Sequence, residues 1–393
     1  MLFWGKIEFF LCGILLFVSC STRLPVAGIN AFHSCDYSRA ISIFDKKAKQ
    51  EGKDYVLFNL ALLSASLWAA DYERAEKAST NAQRVMWSDS GKGKGVASLA
   101  SAEAIKIFKG EPFEKAMASI YSGIIYFNKG DFDNARAAFS KAGLAIKQKK
   151  ESHQEDFALP FLLQAKVFLK LGELDNARIA LEKVKKIYPD YRELDIEMLK
   201  SKNILFLIEL GQAPLKARTG PGASLIEWKR RGYAEQSASI SVDDRPIGAP
   251  LEVGDLTVQA KTKGWSGKDT IQATKGATRE AATVTAVIAA DEASRGNKTA
   301  GWVALGAGLF ALANQSQADI RQWEFLPDRI LFLAGNIPPG KHHFQATFYD
   351  SSKVPLPGYD QVWYEDIKSE RENRIFLIRR GLCSQGNVVG ANQ

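Results

Sequence analysis

Four short stretches of this 393-residue chain are variants of one phrase: DYSRA at 36–40, DYERA at 71–75, DFDNA at 131–135 and ELDNA at 173–177. Each offers an acidic residue, an apolar one, two polar ones and an alanine. No other feature constrains the fold as much. A recurring phrase of this kind nucleates one helix per copy, and the apolar face of such a helix is buried only by stacking on its neighbours.

The last two copies extend into YSGIIYFNKGDFDNARAAFSKA at 121–142 and PFLLQAKVFLKLGELDNARIALEKVKKIYP at 160–189. In the first, Gly123, Tyr126, Gly130, Ala135, Phe139 and Ala142 recur at set offsets. In the second, Ala165, Phe168, Gly172, Ala177, Leu181, Val184 and Pro189 do the same. These positions resemble the tetratricopeptide repeat. The resemblance implies helical hairpins in which small residues let two helices approach and Tyr126 or Phe168 fills the gap. Gly130 or Gly172 ends the first helix in a left-handed cap, and Pro189 stops the second. The earlier copies are degenerate, with Cys35 and Ala70 standing where the turn glycine belongs. The anchoring alanines Ala40, Ala75, Ala135 and Ala177 are 35, 60 and 42 residues apart, so the 60-residue interval has room for a poorer hairpin with a first helix at 102–110. SDSGKGKG at 88–95 reads as a loop, and it lacks the Ser or Thr of a phosphate loop. The expectation is an α-solenoid over 20–214 whose concave surface receives a protein partner, or else a rigid spacer.

The first nineteen residues, MLFWGKIEFFLCGILLFVS, have an early lysine, an apolar run and a small-residue end, which is the layout of a signal peptide over 1–19. FVSC at 17–20 resembles the lipobox of bacterial lipoproteins, although Phe17 departs from the usual leucine. That resemblance implies a lipid-modified Cys20 carrying fatty acyl chains such as palmitate. Ser21, in place of Asp, resembles outer-membrane sorting. The expected location is the outer membrane, facing the periplasm, with inner-membrane retention as the variant. An ordinary cleaved signal and an uncleaved anchor are the rivals. Processing would leave Cys35 and Cys383, and whether they pair is open.

Beyond 209–224 glycine and proline multiply and alternating patterns appear. Stretches at 237–242, 251–262, 329–335, 342–350, 359–366 and 373–380 read as strands. The fold class expected is therefore α + β in several domains: the solenoid, then an antiparallel β-sandwich-like domain over 215–380, then a flexible tail over 381–393. An apolar Gly/Ala helical hairpin is expected as an insertion over 276–322. Its arm at 299–313 carries Gly301, Trp302, Gly306 and Gly308, at intervals that let helices pack tightly. It either covers the β domain or contacts the bilayer.

Chemistry is sparse. Net charge is +8, and the basic clusters at 92–94, 147–150 and 229–231 are short and scattered, so no nucleic-acid partner is expected. His342 and His343 are adjacent in a strand and face opposite sides, while Asp243 and Asp244 occupy a turn. No catalytic, cofactor-binding or metal site is expected. As a whole the chain resembles an uncharacterised family of bacterial lipoproteins with N-terminal tetratricopeptide-like repeats and a C-terminal β domain. The run ADIRQWEFLPDRI at 318–330 is the most specific part, pairing Arg321 and Trp323 with Pro327 and Arg329. The resemblance implies a scaffold in envelope assembly or secretion that binds a protein partner and is not an enzyme. The alternative is an envelope enzyme remodelling glycan, with its site in the β domain.

Overall fold

The computed structural model describes residues 24–88, 107–146, 157–191, 194–220, 225–262, 318–369, 371–380 and 388–390. Helices come first: α1 (Val26–His33), α2 (Tyr37–Ala48), α3 (Tyr55–Trp68), α4 (Tyr72–Met86), α5 (Pro112–Asn128), α6 (Phe132–Ile146), α7 (Leu159–Leu171), α8 (Leu174–Ile187) and the short α9 (Ile196–Ser201). They pair in order as hairpins, and each hairpin packs on the next.

The repeated phrase opens the second helix of every hairpin, and its parts have separate duties. Asp36 accepts the N–H of Arg39 at 3.0 Å, Asp71 that of Arg74 at 3.1 Å and Asp131 that of Asn134 at 3.2 Å. Each thereby satisfies an orphan donor of the first helical turn. Ala40, Ala75, Ala135 and Ala177 are fully buried against the preceding helix. The residue just before each acid is left-handed, with φ of 61° at Cys35, 56° at Ala70 and 78° at both Gly130 and Gly172. From each acid the N–H then reaches back 2.9 Å to the carbonyls of Ala31, Ser66, Tyr126 and Phe168. Four turns close with the same six-to-one hydrogen bond.

Small residues set the helix spacing. A Cβ on Gly123 would stand 2.2 Å from Cε1 of Phe139, so the α5/α6 crossing exists only because none is there. Phe139 and Ala165 are fully buried, whereas Tyr126 and Phe168 are half-buried at the edge of the same core. Pro189 lies in the turn beyond the last residue of α8. The extra first helix expected at 102–110 falls mainly outside the described residues, and its described end, 107–110, is not helical.

Eleven strands follow among the described residues. Helices give way to sheet earlier than the glycine and proline content implies, because ILFLIEL at 204–210, inside the stretch read as solenoid, is the strand β1 (Ile204–Leu210). The others are β2 (Leu215–Thr219), β3 (Leu225–Lys229), β4 (Ser237–Val242), β5 (Arg245–Pro246), β6 (Leu251–Asp255), β7 (Arg329–Gly335), β8 (Gly340–Tyr349), β9 (Gln361–Ile367), β10 (Arg374–Arg379) and β11 (Val388–Val389). One sheet has the order β11-β10-β1-β7-β6, another β5-β4-β8-β9, and β2 pairs with β3 alone.

Every residue of β1 is buried because both faces of its sheet are covered. Leu205 and Leu207 join Ile375 and Leu377 of β10 in the core shared with the helices. Phe206 and Ile208 point the other way, joining Phe344, Ala346, Phe348 and Trp363 of the four-stranded sheet. Helices, sheet and sheet thus form three layers around two cores.

Several expectations are corrected here. The sheet is mixed and not antiparallel throughout, since β1 runs parallel to β10 with Phe206 opposite Phe376. The stretch 251–262 is a strand only to Asp255, whose side chain caps α10 (Leu256–Thr262) by accepting the N–H of Val258 at 2.8 Å. The tail is not wholly loose, because Val388 and Val389 add an edge strand to β10. The insertion at 276–322 lies outside the described residues except for 318–322, which are neither helix nor strand.

Candidate functional site

In a repeat of helical hairpins the first helices line the inner face. Here α3 and α5 play that part, and they are apolar nearly all round because both their sides are covered. The cover is the chain itself. The five-stranded sheet and the run 318–328 lie on this face, and Trp323 is the deepest anchor, 1% exposed. Its indole N–H donates to the hydroxyl of Ser64 on α3 at 2.9 Å, its ring meets Tyr121 of α5 edge-on at 5.8 Å, and its backbone N–H donates to Glu114 Oε1. Phe325 follows, with its ring centroid 4.2 Å from that of Phe32 and 5.6 Å from that of Phe44.

Charge fixes the register of this run. Arg321 donates to Asp54 Oδ1 at 2.8 Å and to the Lys53 carbonyl at 3.0 Å, and Asp319 holds its other edge at 2.7–2.9 Å. Its guanidinium also lies over the Phe108 ring at 5.6 Å. Burial works against the Arg321 charge, and the two aspartates more than offset it, so the group stays cationic. Lys216 of β2 reaches Glu111, just before α5, at 2.6 Å. Pairs this deep cost desolvation, so what they supply is one alignment of run against helices more than net stability.

Glu114 is the least comfortable of these groups. It is fully buried on α5 and accepts two backbone N–H groups, those of Glu111 and Trp323. Burial pushes its carboxyl up to about 7, against the pull of Lys216. Tyr121 donates to Glu209, which β1 points into the helical layer at 1% exposure. Glu209 also receives Arg379, which stacks 4.7 Å over Trp68 and donates to the Phe325 carbonyl at 2.8 Å.

A second grip holds the sheet by its backbone. Asn128, the last residue of α5, donates to the Ile375 carbonyl and accepts the Ile375 N–H, both at 2.8 Å. An asparagine that reads both backbone groups of one residue recognises extended chain of any sequence.

The residues singled out from sequence divide accordingly. Arg321, Trp323 and Pro327 are buried in this interface, and Arg329 leaves it for Tyr233, Gln236 and Glu252 around β7. Gly123, Gly130, Ala135, Phe139, Ala165, Gly172 and Ala177 lie within the hairpins, and Pro189 lies just after the last of them. Cys20, Gly301, Trp302, Gly306 and Gly308 are outside the described residues. Sequence reading missed Asp54, Ser64, Glu114, Tyr121, Asn128 and Glu209. A carboxylate inside an apolar helix, as in EPFEKAMASIY, is the signal that could have found Glu114. The expectation that the concave face receives a separate protein is corrected along α3 and α5, where the chain's own sheet and run fill it.

Among the described residues, no group of three His, Cys, Asp or Glu side chains is placed to hold a metal, and no helix is long and apolar enough to cross a membrane. His342 Nε2–H donates to the Pro338 carbonyl at 2.9 Å and Nδ1 lies 2.8 Å from Asp243 Oδ2, while His343 faces the other side against Tyr364. Cys35 is disulfide-bonded, and its partner lies outside the described residues.

A tetratricopeptide repeat model matches residues 161–191, the α7/α8 hairpin. Comparison with curated protein sequences gave no match. Among solved structures, the crystal structure of MamA is similar at 17% identity, covering 44% of this chain and 80% of that one with a TM-score of 0.30.

Proposed function

We propose that this protein is a scaffold of the cell envelope, anchored by lipid on Cys20, facing the periplasm, and gripping a protein partner in assembly or secretion through the outward side of its repeats. The observation that carries this reading is the division of the repeats into a closed side and an open one. The inner side is filled by the chain itself, while α6 and α8 leave Leu144, Leu174 and Ile179 at 61%, 47% and 52% exposure. Side chains of that size left open on one group of helices are where a partner finds apolar area. Residues 299–313 are a candidate second contact with the bilayer, which the tether at Cys20 would amplify by effective concentration.

The experiment is photocrosslinking in intact cells from a probe at Ile179 or Leu144, with one at Val354 on the β region as control. Capture of the same envelope protein from both helix positions, lost in Ile179→Glu, is the expected outcome. Capture from Val354 alone would move the partner to the β region and defeat the proposal. Cys20→Ala is expected to release the chain from the membrane fraction.

A further inference from the structure

The outer face of the four-stranded sheet is unusual for a chain in which 24% of residues are charged. A sheet face open to water ordinarily carries lysine and glutamate among its polar residues. Here β4 turns out Ser237, Ser239 and Ser241, and β8 lays Gln345 and Thr347 beside them, in register with Ser241 and Ser239. The Tyr349 hydroxyl meets that of Ser239 at 2.9 Å. On β9 the outward residues are Val362 and Tyr364, 48% and 72% exposed. Tyr364 leans on His343, with ring centroids 5.1 Å apart and planes tilted by 31°, so the exposed tyrosine ring is steadied by its cross-strand neighbour. Charged groups stand at the rim, with Asp244, Lys341 and Asp366 at one end and Asp360 at the other.

We infer that this face binds an uncharged glycan strand. Three adjacent strands span about 10 Å, and five residues of each run about 17 Å, an area that suits three or four sugar rings in an extended β-linked chain. The chemistry matches in both of its parts. Sugar C–H faces pack on the open Tyr364 ring, whose negative face attracts polarised C–H. Sugar hydroxyls and N-acetyl groups exchange hydrogen bonds with serine, threonine and glutamine, each of which both donates and accepts. A peptide partner would find no unpaired charge in the middle of this face to read. An anionic lipid surface would find no cluster of cations. The face lies in a different layer from the repeats and does not depend on what they grip.

The test uses the full chain with chitohexaose, a neutral β-linked oligomer of N-acetylglucosamine, read by calorimetry and by retention on insoluble chitin. Saturable binding is expected, weakened about tenfold in Tyr364→Ala and kept in Tyr364→Phe, which preserves the ring. Thr347→Lys, which puts a charge in the middle of the face, is expected to weaken binding as well. Tyr364 is mostly exposed, so its variants keep the fold, and circular dichroism verifies this. No binding at millimolar oligomer, or affinity unchanged in Tyr364→Ala, overturns the inference. So does self-association by sedimentation that Tyr364→Ala abolishes, because the face would then serve a second copy of the chain.

Discussion

Ala70 occupies a backbone conformation that its side chain disfavours, and the same position of the last two hairpins holds glycine. Strain at a left-handed non-glycine residue is of order 1 kcal/mol. Ala70→Gly is therefore expected to raise stability by about 0.5–1 kcal/mol, read as a shift in the denaturation midpoint. Gly172→Ala is expected to lower it by a similar amount, since a Cβ there meets nothing within 4 Å and backbone conformation is the whole cost. Glu114 sets a different dependence. Its folded-state carboxyl titrates at about 7, above the ordinary 4.5, so the folded chain binds a proton that the unfolded one releases between those values. Stability from this group is highest at low pH and is lost as pH rises through about 7. His33, lowered to about 4 by burial and then by Arg379, has the opposite slope between 4 and 6.5. Above 6.5 it no longer offsets Glu114. Wild-type stability is thus expected to fall from pH 6.5 to 8, and Glu114→Gln to flatten that fall, whatever it costs by losing one acceptor to the Glu111 N–H.

At the scale of elements, two of the contacts that join the helices to the rest of the chain test the packing singly. Trp323→Ala is expected to cost about 3–5 kcal/mol through the cavity it leaves between α3, α5 and the run it belongs to. Asn128→Ala removes two hydrogen bonds and leaves the Ile375 backbone partly unsatisfied, at about 1–3 kcal/mol by urea denaturation. The hairpins were legible in the sequence because each depends on residues close together in the chain: an acid that caps, an alanine that packs, a turn position before it. Even the degenerate turns at Cys35 and Ala70 could be placed. The strand at 204–210 was not legible, since a continuous apolar run has no period that distinguishes a helix from a strand buried on both faces. The run at 318–330 stood out by composition, yet nothing local tells that Trp323 belongs beside Ser64, 259 residues away.

For the whole molecule, these contacts make the repeats one layer of a larger unit and not an open spiral. With the inner side of the repeats filled in cis, α6 and α8 are left with apolar side chains open, and an uncharged surface lies at the far side of the sheets. The central claim is that the run 318–328 lies in the inner face of the repeats, and hydrogen exchange on the full chain followed by mass spectrometry tests it most directly. Peptides covering 320–328 are predicted to exchange as slowly as those of α3 and α5, because the Trp323 N–H is held by Glu114 and the Asp328 N–H by the Leu210 carbonyl. In Trp323→Ala that protection is predicted to fall in the run and in both helices together. Rapid exchange across 320–328 in the wild-type chain, with α3 and α5 still protected, would contradict the account.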